Sequence, residues 1–577
     1  MSDFDAPRPR TEDPEPADIH DEREADLAQR AQVGLLRNSA VMASGSIVSR
    51  VTGVLRNISL TAALGLTISA DAFALGNSLP DIVYVLIIGG ALNAIFVPQL
   101  VRRMKDDEDG GQAYTDSLIS ATSVLLTVVT VVAVAAAPLI VSLYATSSYS
   151  QQQVDLAVAF ARYCLPQIFF FGLYTMLSQV LNARERFGMP MFAPIFNNLV
   201  AIATYTSFVV IFGTAVATDG TLSAGQTAWL GVGTTLGIAA QALILVPVMR
   251  RSGYRFSFSR RWRGIGLGKA GRLAGWTIGL VAVTQAAFVV ISRLATQANV
   301  NAADTGEAPA GLFTYTNAYL VFMIPHGIVT VSIVTAQLPG LSRLVHAREL
   351  RAAGSDIGHT MRLVALVIAP LALGLALGAQ PLSALLFNYG AASAEQASQL
   401  GVVIAIFMSG LLPFTLYYVL QRGWYANEDT RTPFFFAVLM NVVLVVLALF
   451  FFSRAAPGAG QVNALATAYA ISCLVTFVVA WPVLRRTYGY LDSRTTLTTL
   501  LRIAVASVVA VIAVIVVVRF GVGPFVLGSG KLVALLHLVV IGVTALVVFG
   551  LAAWLLRIRE MHELVGWGAG VLRRVRR

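Results

Sequence analysis

Two arginines, Arg50 and Arg56, stand where a charged side chain is costly. They occur in the run Ser49-Arg50-Val51-Thr52-Gly53-Val54-Leu55-Arg56-Asn57, inside an apolar stretch near residues 36–63 that is long enough to cross a bilayer. An ionisable group in such a span costs about 2.5–3.5 kcal/mol on insertion scales and normally faces a partner or a solvated cavity. Six residues at about 100° each set the two guanidinium groups roughly 120° apart, which suits a broad cavity wall better than a narrow stripe. Arg293 follows Ser292 in a later stretch, repeating Ser49-Arg50 at a distance of 243 residues (293 − 50). Acids that could neutralise these charges are scarce. Asp71 opens the second stretch in Ala70-Asp71-Ala72-Phe73, and Asp81 follows Pro80; each reads equally well as a helix cap or as a structural partner of an arginine. Fixed arginines with few carboxylates favour an anionic ligand. The planar guanidinium fork suits phosphate oxygens, and its charge persists at any working pH. Ser49 and Asn57 flank the arginines and complete the candidate substrate-binding set of Arg50, Arg56, Arg293, Asp71, Ser49, Asn57 and Asp81. Other polar groups in the spans, including Asn77, Asn93, Gln285, Asn317 and His326, read first as interhelical hydrogen bonds.

Bond-making chemistry finds no support in the sequence. Cys164 and Cys473 are the two cysteines, both within apolar runs, and they read as small core residues. There is no P-loop and no CxxC or HExxH spacing, so neither ATP hydrolysis nor a catalytic metal is expected. The expected role is transport without a resident cofactor.

The elements that must hold these residues are membrane spans. Charged residues make up 12% of the chain and hydrophobic ones 56%, with a mean hydropathy of +0.73. Soluble domains carry about 25% charged residues, so the bilayer is the expected solvent. Apolar stretches fall near 36–63, 70–99, 118–144, 155–182, 190–213, 224–249, 272–297, 311–337, 362–387, 398–424, 433–453, 462–484, 499–518 and 532–556. Each exceeds or approaches the roughly 20 residues that a spanning helix needs. Loops alternate between rich and poor in Lys and Arg, from Arg102-Arg103-Lys105 through Arg250 to Lys269 and on to the basic end Arg557 to Arg577. By the positive-inside rule this puts both termini in the cytoplasm. The net charge of +11 is thus a topology signal and an affinity for anionic headgroups, not a nucleic-acid footprint.

An internal repeat organises the spans. Asn182-Ala183-Arg184-Glu185 before Pro190 parallels Ala426-Asn427-Glu428 before Pro433 at an offset of 243 (433 − 190), and Val97-Pro98-Gln99-Leu100 parallels Leu338-Pro339-Gly340-Leu341 at 241 (339 − 98). With Ser49-Arg50 and Ser292-Arg293, three matches run in order at one spacing. Six spans per repeat is an even number, so both halves enter the membrane in the same direction. The expected fold is an all-α polytopic membrane protein of fourteen transmembrane helices. Two six-helix parallel repeats surround a central cavity, and two extra helices follow at the C-terminal end. The expected units are a disordered acidic tail (1–34), an N-lobe (35–250), a basic linker (251–271), a C-lobe (272–486), helices 13 and 14 (487–557) and a basic tail (558–577). Pro80 and Pro325 are expected to bend helices 2 and 8.

These motifs resemble the MurJ (MviN) family of lipid II flippases, within the multidrug/oligosaccharidyl-lipid/polysaccharide exporter superfamily. The resemblance rests on Ser49 to Arg56, Ala70-Asp71-Ala72-Phe73, Leu79-Pro80, Phe96-Val97-Pro98, Leu181-Asn182-Ala183 with Phe187 and Pro190, Pro325-His326-Gly327 and Leu338-Pro339. It implies two lobes around a solvated cationic cavity, with the two extra helices forming a groove for a polyprenyl tail. It also implies that Arg50 and Arg56 contact the pyrophosphate of lipid II, and that Asp71 is a functionally required residue. Implied partners are lipid II or a similar polyprenyl-pyrophosphate lipid, membrane lipids and the cell-wall synthesis machinery, with the chain acting as a monomer in the bacterial inner membrane. The sequence departs from the family pattern at Tyr84 and Leu320, where an arginine often stands. The matching part of helix 11 keeps Asn441 but no acid, which weighs against sodium coupling and leaves the membrane potential as a candidate driving force. Rival readings are a flippase for another polyprenyl-linked saccharide, a drug/cation antiporter of the same superfamily, and a non-transporting scaffold of wall synthesis.

Overall fold

The computed structural model describes residues 44–45, 47–86, 100, 102–104, 106–184, 186, 188–214, 222–260, 275–307, 309–522 and 530–563. The expected acidic tail at 1–34 lies outside them, as do most of the linker and the basic tail, Asn93, and the Val97-Pro98-Gln99 part of the repeat.

Long helices form because, in a bilayer, each backbone N–H and C=O must be satisfied within its own segment. Among the described residues there is no strand. The first half comprises α1 (47–64), α2 (Ile68–Tyr84), α3 (Gln112–Ala135, continued by Ala137–Tyr144), α4 (Gln151–Ala183, broken at Leu165-Pro166), α5 (Gly188–Phe212) and α6 (Ala224–Arg251). The second half comprises α7 (Gly275–Thr305), α8 (Leu312–His346), α9 (Leu350–Leu377, continued by Ala379–Phe387), α10 (Ala394–Ser409 and Leu411–Ala426), α11 (Arg431–Phe452) and α12 (Ala459–Tyr488). Two more follow, α13 (Ser493–Phe520) and α14 (Lys531–Leu555). Among the described residues, eleven helices are long and apolar enough to cross a membrane, or twelve when α10, bent by 42° at Gly410, counts as one span. Of the fourteen expected spans, the first two correspond to α1 and α2, which are shorter as described.

The halves share a packing plan. The first segment of α4 packs on α2 as that of α10 packs on α8. The second segment of α4 packs on α3 as that of α10 packs on α9, and α5–α6 pair as α11–α12 do. Even the helix starts match. Ser150 accepts from the Gln153 backbone N–H while the Gln153 side chain accepts from the Ser150 N–H, and Ser393 and Gln396 do the same 243 residues later (393 − 150). Such capping boxes satisfy two of the donors that every helix start leaves open. The breaks also recur, at Ala136 and Pro166 in the first half and at Gly378 and Gly410 in the second. Helices α13 and α14 stand outside this plan, pair with each other and lean on α9.

The halves meet at the face formed by the α1–α2, α3–α4, α7–α8 and α9–α10 turns. Ala391 N–H donates to Ala62 C=O (2.9 Å), the Leu66 N–H to Gln396 Oε1 (3.3 Å), and the Thr146 N–H to Thr296 Oγ1 (3.1 Å). Gly65 and Gly390, both with positive φ, let the first pair of turns interlock; a Cβ on Gly390 would stand 2.2 Å from the Ala62 oxygen.

Candidate anion site on the first helix

Helix α1 runs along α8, and its polar residues mark out that seam. Asn57 Nδ2 donates to Asn317 Oδ1 at 2.8 Å, and Asn317 is buried. Seven residues earlier on α1, the Arg50 guanidinium lies against Gly327 of α8, where an added Cβ would be 2.4–2.6 Å from its Nη and Cζ atoms. That glycine sits in a π-helical stretch, His326–Thr330, which begins directly after Pro325. Where a bend was expected, Pro325 is thus followed by a local change of winding, of the kind that re-aims side chains at functional positions. His326 is buried, its Nδ1 has no hydrogen-bond partner, and its charged neighbours are Arg50 and Arg422.

Arg50 and Arg56 are both half-buried, and neither is paired with a carboxylate among the described residues. Arg56 makes one long contact, to Asn57 Oδ1 at 3.4 Å, and also lies near Tyr205 of α5. Helix α5 anchors this stretch of α1: Asn198 Nδ2 donates to the Ser49 C=O (3.0 Å) and to Thr52 Oγ1 (2.9 Å). Ser49 thus enters the site through its backbone. The result is a wall of fixed cations whose N–H donors remain available, which is the arrangement that binds phosphate oxygens.

The other sequence candidates lie apart from this wall. Asp71 is buried at the closed face. It accepts from Asn299 Nδ2 (2.7 Å) and from the Phe313 N–H (2.7 Å), so it caps the N-terminus of α8 from the opposite half. A carboxylate there satisfies open donors and complements the helix dipole. At 1.5 Å per residue, Phe313 and Gly327 are about 21 Å apart along α8, so Asp71 does not share the Arg50 neighbourhood. Asp81 is exposed near Tyr84, and Arg293 is exposed on α7 with no ion pair among the described residues.

Arg422, near the end of the expected span 398–424, is not among the sequence candidates. It lies in the last turns of α10, its Cζ 4.2 Å from the Tyr418 ring centroid and 5.6 Å from that of Tyr425, with its Nε buried and unpartnered. The signal was present: tyrosines four before and three after an arginine share one helix face.

A profile of the family described as "Lipid II flippase MurJ" matches residues 60–537. Among curated relatives, a probable lipid II flippase MurJ of Rhizobium meliloti is 28% identical over 75% of this chain and 80% of its own length. The lipid II flippase MurJ of Burkholderia cenocepacia is 28% identical over 71% of this chain and 77% of its own. A solved structure titled "Lipid II flippase MurJ, inward closed conformation" superposes with a TM-score of 0.68 at 17% identity, covering 89% of this chain and 99% of that one. An inward-facing MATE family transporter of the MOP superfamily gives 0.57 at 15% identity, over 79% of this chain and 99% of that one, and shares the fold. With the profile spanning most of its length, this chain belongs to the lipid II flippase MurJ family.

Proposed function

We propose that this protein carries lipid II, the undecaprenyl-pyrophosphate-linked peptidoglycan precursor, from the cytoplasmic to the outer leaflet of the bacterial inner membrane by alternating access. It acts as a transporter, not an enzyme. The lobes that rock are the N-lobe (35–250) and the C-lobe (272–486). Helices 13 and 14 (487–557) offer the groove for the lipid tail. Both termini face the cytoplasm, so the closed face is the outer one. The chain works as a monomer alongside the wall-synthesis machinery. The carrying observation is the half-buried Arg50 and Arg56, free of carboxylates among the described residues, with Arg50 set at the α1–α8 seam between the halves. Fixed cations there suit a pyrophosphate. A drug/cation antiporter would want a free embedded carboxylate, and Asp71 is already engaged by α8.

Flipping of fluorescent lipid II in proteoliposomes tests this reading. Charge-assisted hydrogen bonds contribute about 1.5–3 kcal/mol each, or roughly 10- to 150-fold in affinity. Arg50→Ala and Arg56→Ala should each reduce transport on that scale in well-inserted protein. Arg50→Lys should recover part of it, since a point charge lacks the fork. Normal flipping by the double alanine variant would overturn the proposal.

A further inference from the structure

A cavity of about 340 Å³ lies within the second half, lined by α7, α8, α10, α11 and α12, and its chemistry differs from that of the arginine wall. Among the described residues no charged one lines it. Its polar groups are neutral and include Thr284 and Gln285 on α7, Thr316 on α8, Gln421 on α10 and Asn441 on α11, set among aromatic walls that include Tyr319 and Tyr418. Gln285 Oε1 is buried and accepts no hydrogen bond among the described residues, so it lacks the donor that a buried amide oxygen almost always has. A few convergent neutral donors and acceptors on a largely apolar wall are typical of a small-molecule site, and the volume is at the small end of the usual range.

The cavity also adjoins the cationic patch. Tyr418, one of its walls, lies under the Arg422 guanidinium at 4.2 Å and against the His326 ring at 4.7 Å, and Gly327, next along α8, carries the Arg50 contact. A ligand lying across this boundary meets charge first and then neutral amides and aromatic faces. We infer that the cavity binds the pyranose ring attached directly to the pyrophosphate of the transported lipid, with its C–H face on the tyrosines and its hydroxyl or amide groups hydrogen-bonded to the Gln285 and Asn441 side chains. This inference rests on the proposed function, and it adds a sugar subsite supplied by the second half alone. A stem peptide carries charges that nothing lining the cavity would match, and the volume suits a single ring.

The test measures binding to the full-length protein in nanodiscs. The two probes are undecaprenyl pyrophosphate and undecaprenyl-pyrophosphoryl-N-acetylhexosamine. The wild type should prefer the glycosylated lipid by about tenfold, the effect of one or two well-satisfied hydrogen bonds. Gln285→Leu and Asn441→Leu, each checked for unchanged thermal stability, should bring the two affinities within about twofold while leaving the bare carrier's affinity unchanged. Equal loss for both lipids, or a preference that survives both substitutions, would overturn the sugar subsite. So would displacement of a bound organic cation from the cavity without any preference for the glycosylated lipid. Arg50→Ala should weaken both lipids alike. If it weakens neither, the phosphate reading fails, whatever the pocket variants show.

Discussion

Gly327 matters because of what is missing from it. The Arg50 guanidinium occupies the space a Cβ would need, with its atoms 2.4–2.6 Å from that position. The obstructed group is the end of a flexible side chain, so Gly327→Ala should displace Arg50 without unfolding α8. Expected is normal expression with reduced lipid II flipping, approaching the Arg50→Ala level. Wild-type transport by Gly327→Ala would show that the placement of Arg50 is not critical. Composition and position found Arg50 and Arg56, because charge in an apolar span is visible in any sequence. His326 was visible only as a polar group, and Arg422 was not singled out. Their contributions depend on a π-turn and on a helix that runs on to Ala426.

A buried ionic cluster fixes the two helices outside the repeat. Arg362 of α9 donates to Asp492 Oδ2 at 2.9 Å, to Thr496 Oγ1 at 3.1 Å and, through its Nε, to Glu560 just beyond α14. The Arg362 and Glu560 side chains are 8% and 2% exposed, so their pairing is hidden from water. Removing one member of such a buried cluster leaves its charge less compensated, at a cost of up to about 3–5 kcal/mol. Glu560→Ala should therefore lower the thermal unfolding temperature clearly, whereas loss of the exposed Arg102–Asp106 pair should change it little. Desolvation raises the Asp492 carboxyl, but hydrogen bonds from Thr495 and Tyr490 and the Arg362 charge outweigh it and hold the group below its ordinary value. A depressed carboxylate stabilises the fold above its unfolded value, and that contribution is lost as the pH falls through the folded one. The wild type should thus lose this clamp on acidification below the normal carboxylate range, and Asp492→Asn should blunt that acid sensitivity. An unaltered acid profile would remove Asp492 from the clamp.

Across the molecule, the halves are joined at one face by turn-to-turn hydrogen bonds and by the Asp71 cap on α8. Alternating access requires that seam to part. We propose that Asp71, which bridges the halves, acts on which state is populated rather than on the phosphate. Orientation is testable at exposed positions in opposite turns. Ser147→Cys in the α3–α4 turn should react with an impermeant thiol reagent added to intact cells, and Ser355→Cys at the start of α9 should not. The reverse pattern would invert the topology and put the closed face inside.

The sequence alone determined the class of this protein, the approximate positions of its spans and its twofold repeat, and it singled out the arginines of the first span. Each of these rests on a one-dimensional signal: hydropathy over about 20 residues, loop charge, a recurring spacing and charge out of place. Span edges were off where helices continue past the apolar core, as α9 does by starting at Leu350 and burying Arg362. Tertiary structure alone decided which polar residues meet. Asp71 and Arg50 lie 21 residues apart in one chain segment, yet they bind α8 at Phe313 and near Gly327, at well-separated depths. Asn57 finds Asn317 across 260 residues, and Arg362 finds Glu560 across 198. Helix packing sets such pairings through the rotation and depth of each helix relative to its neighbours, which periodicity within one helix does not encode.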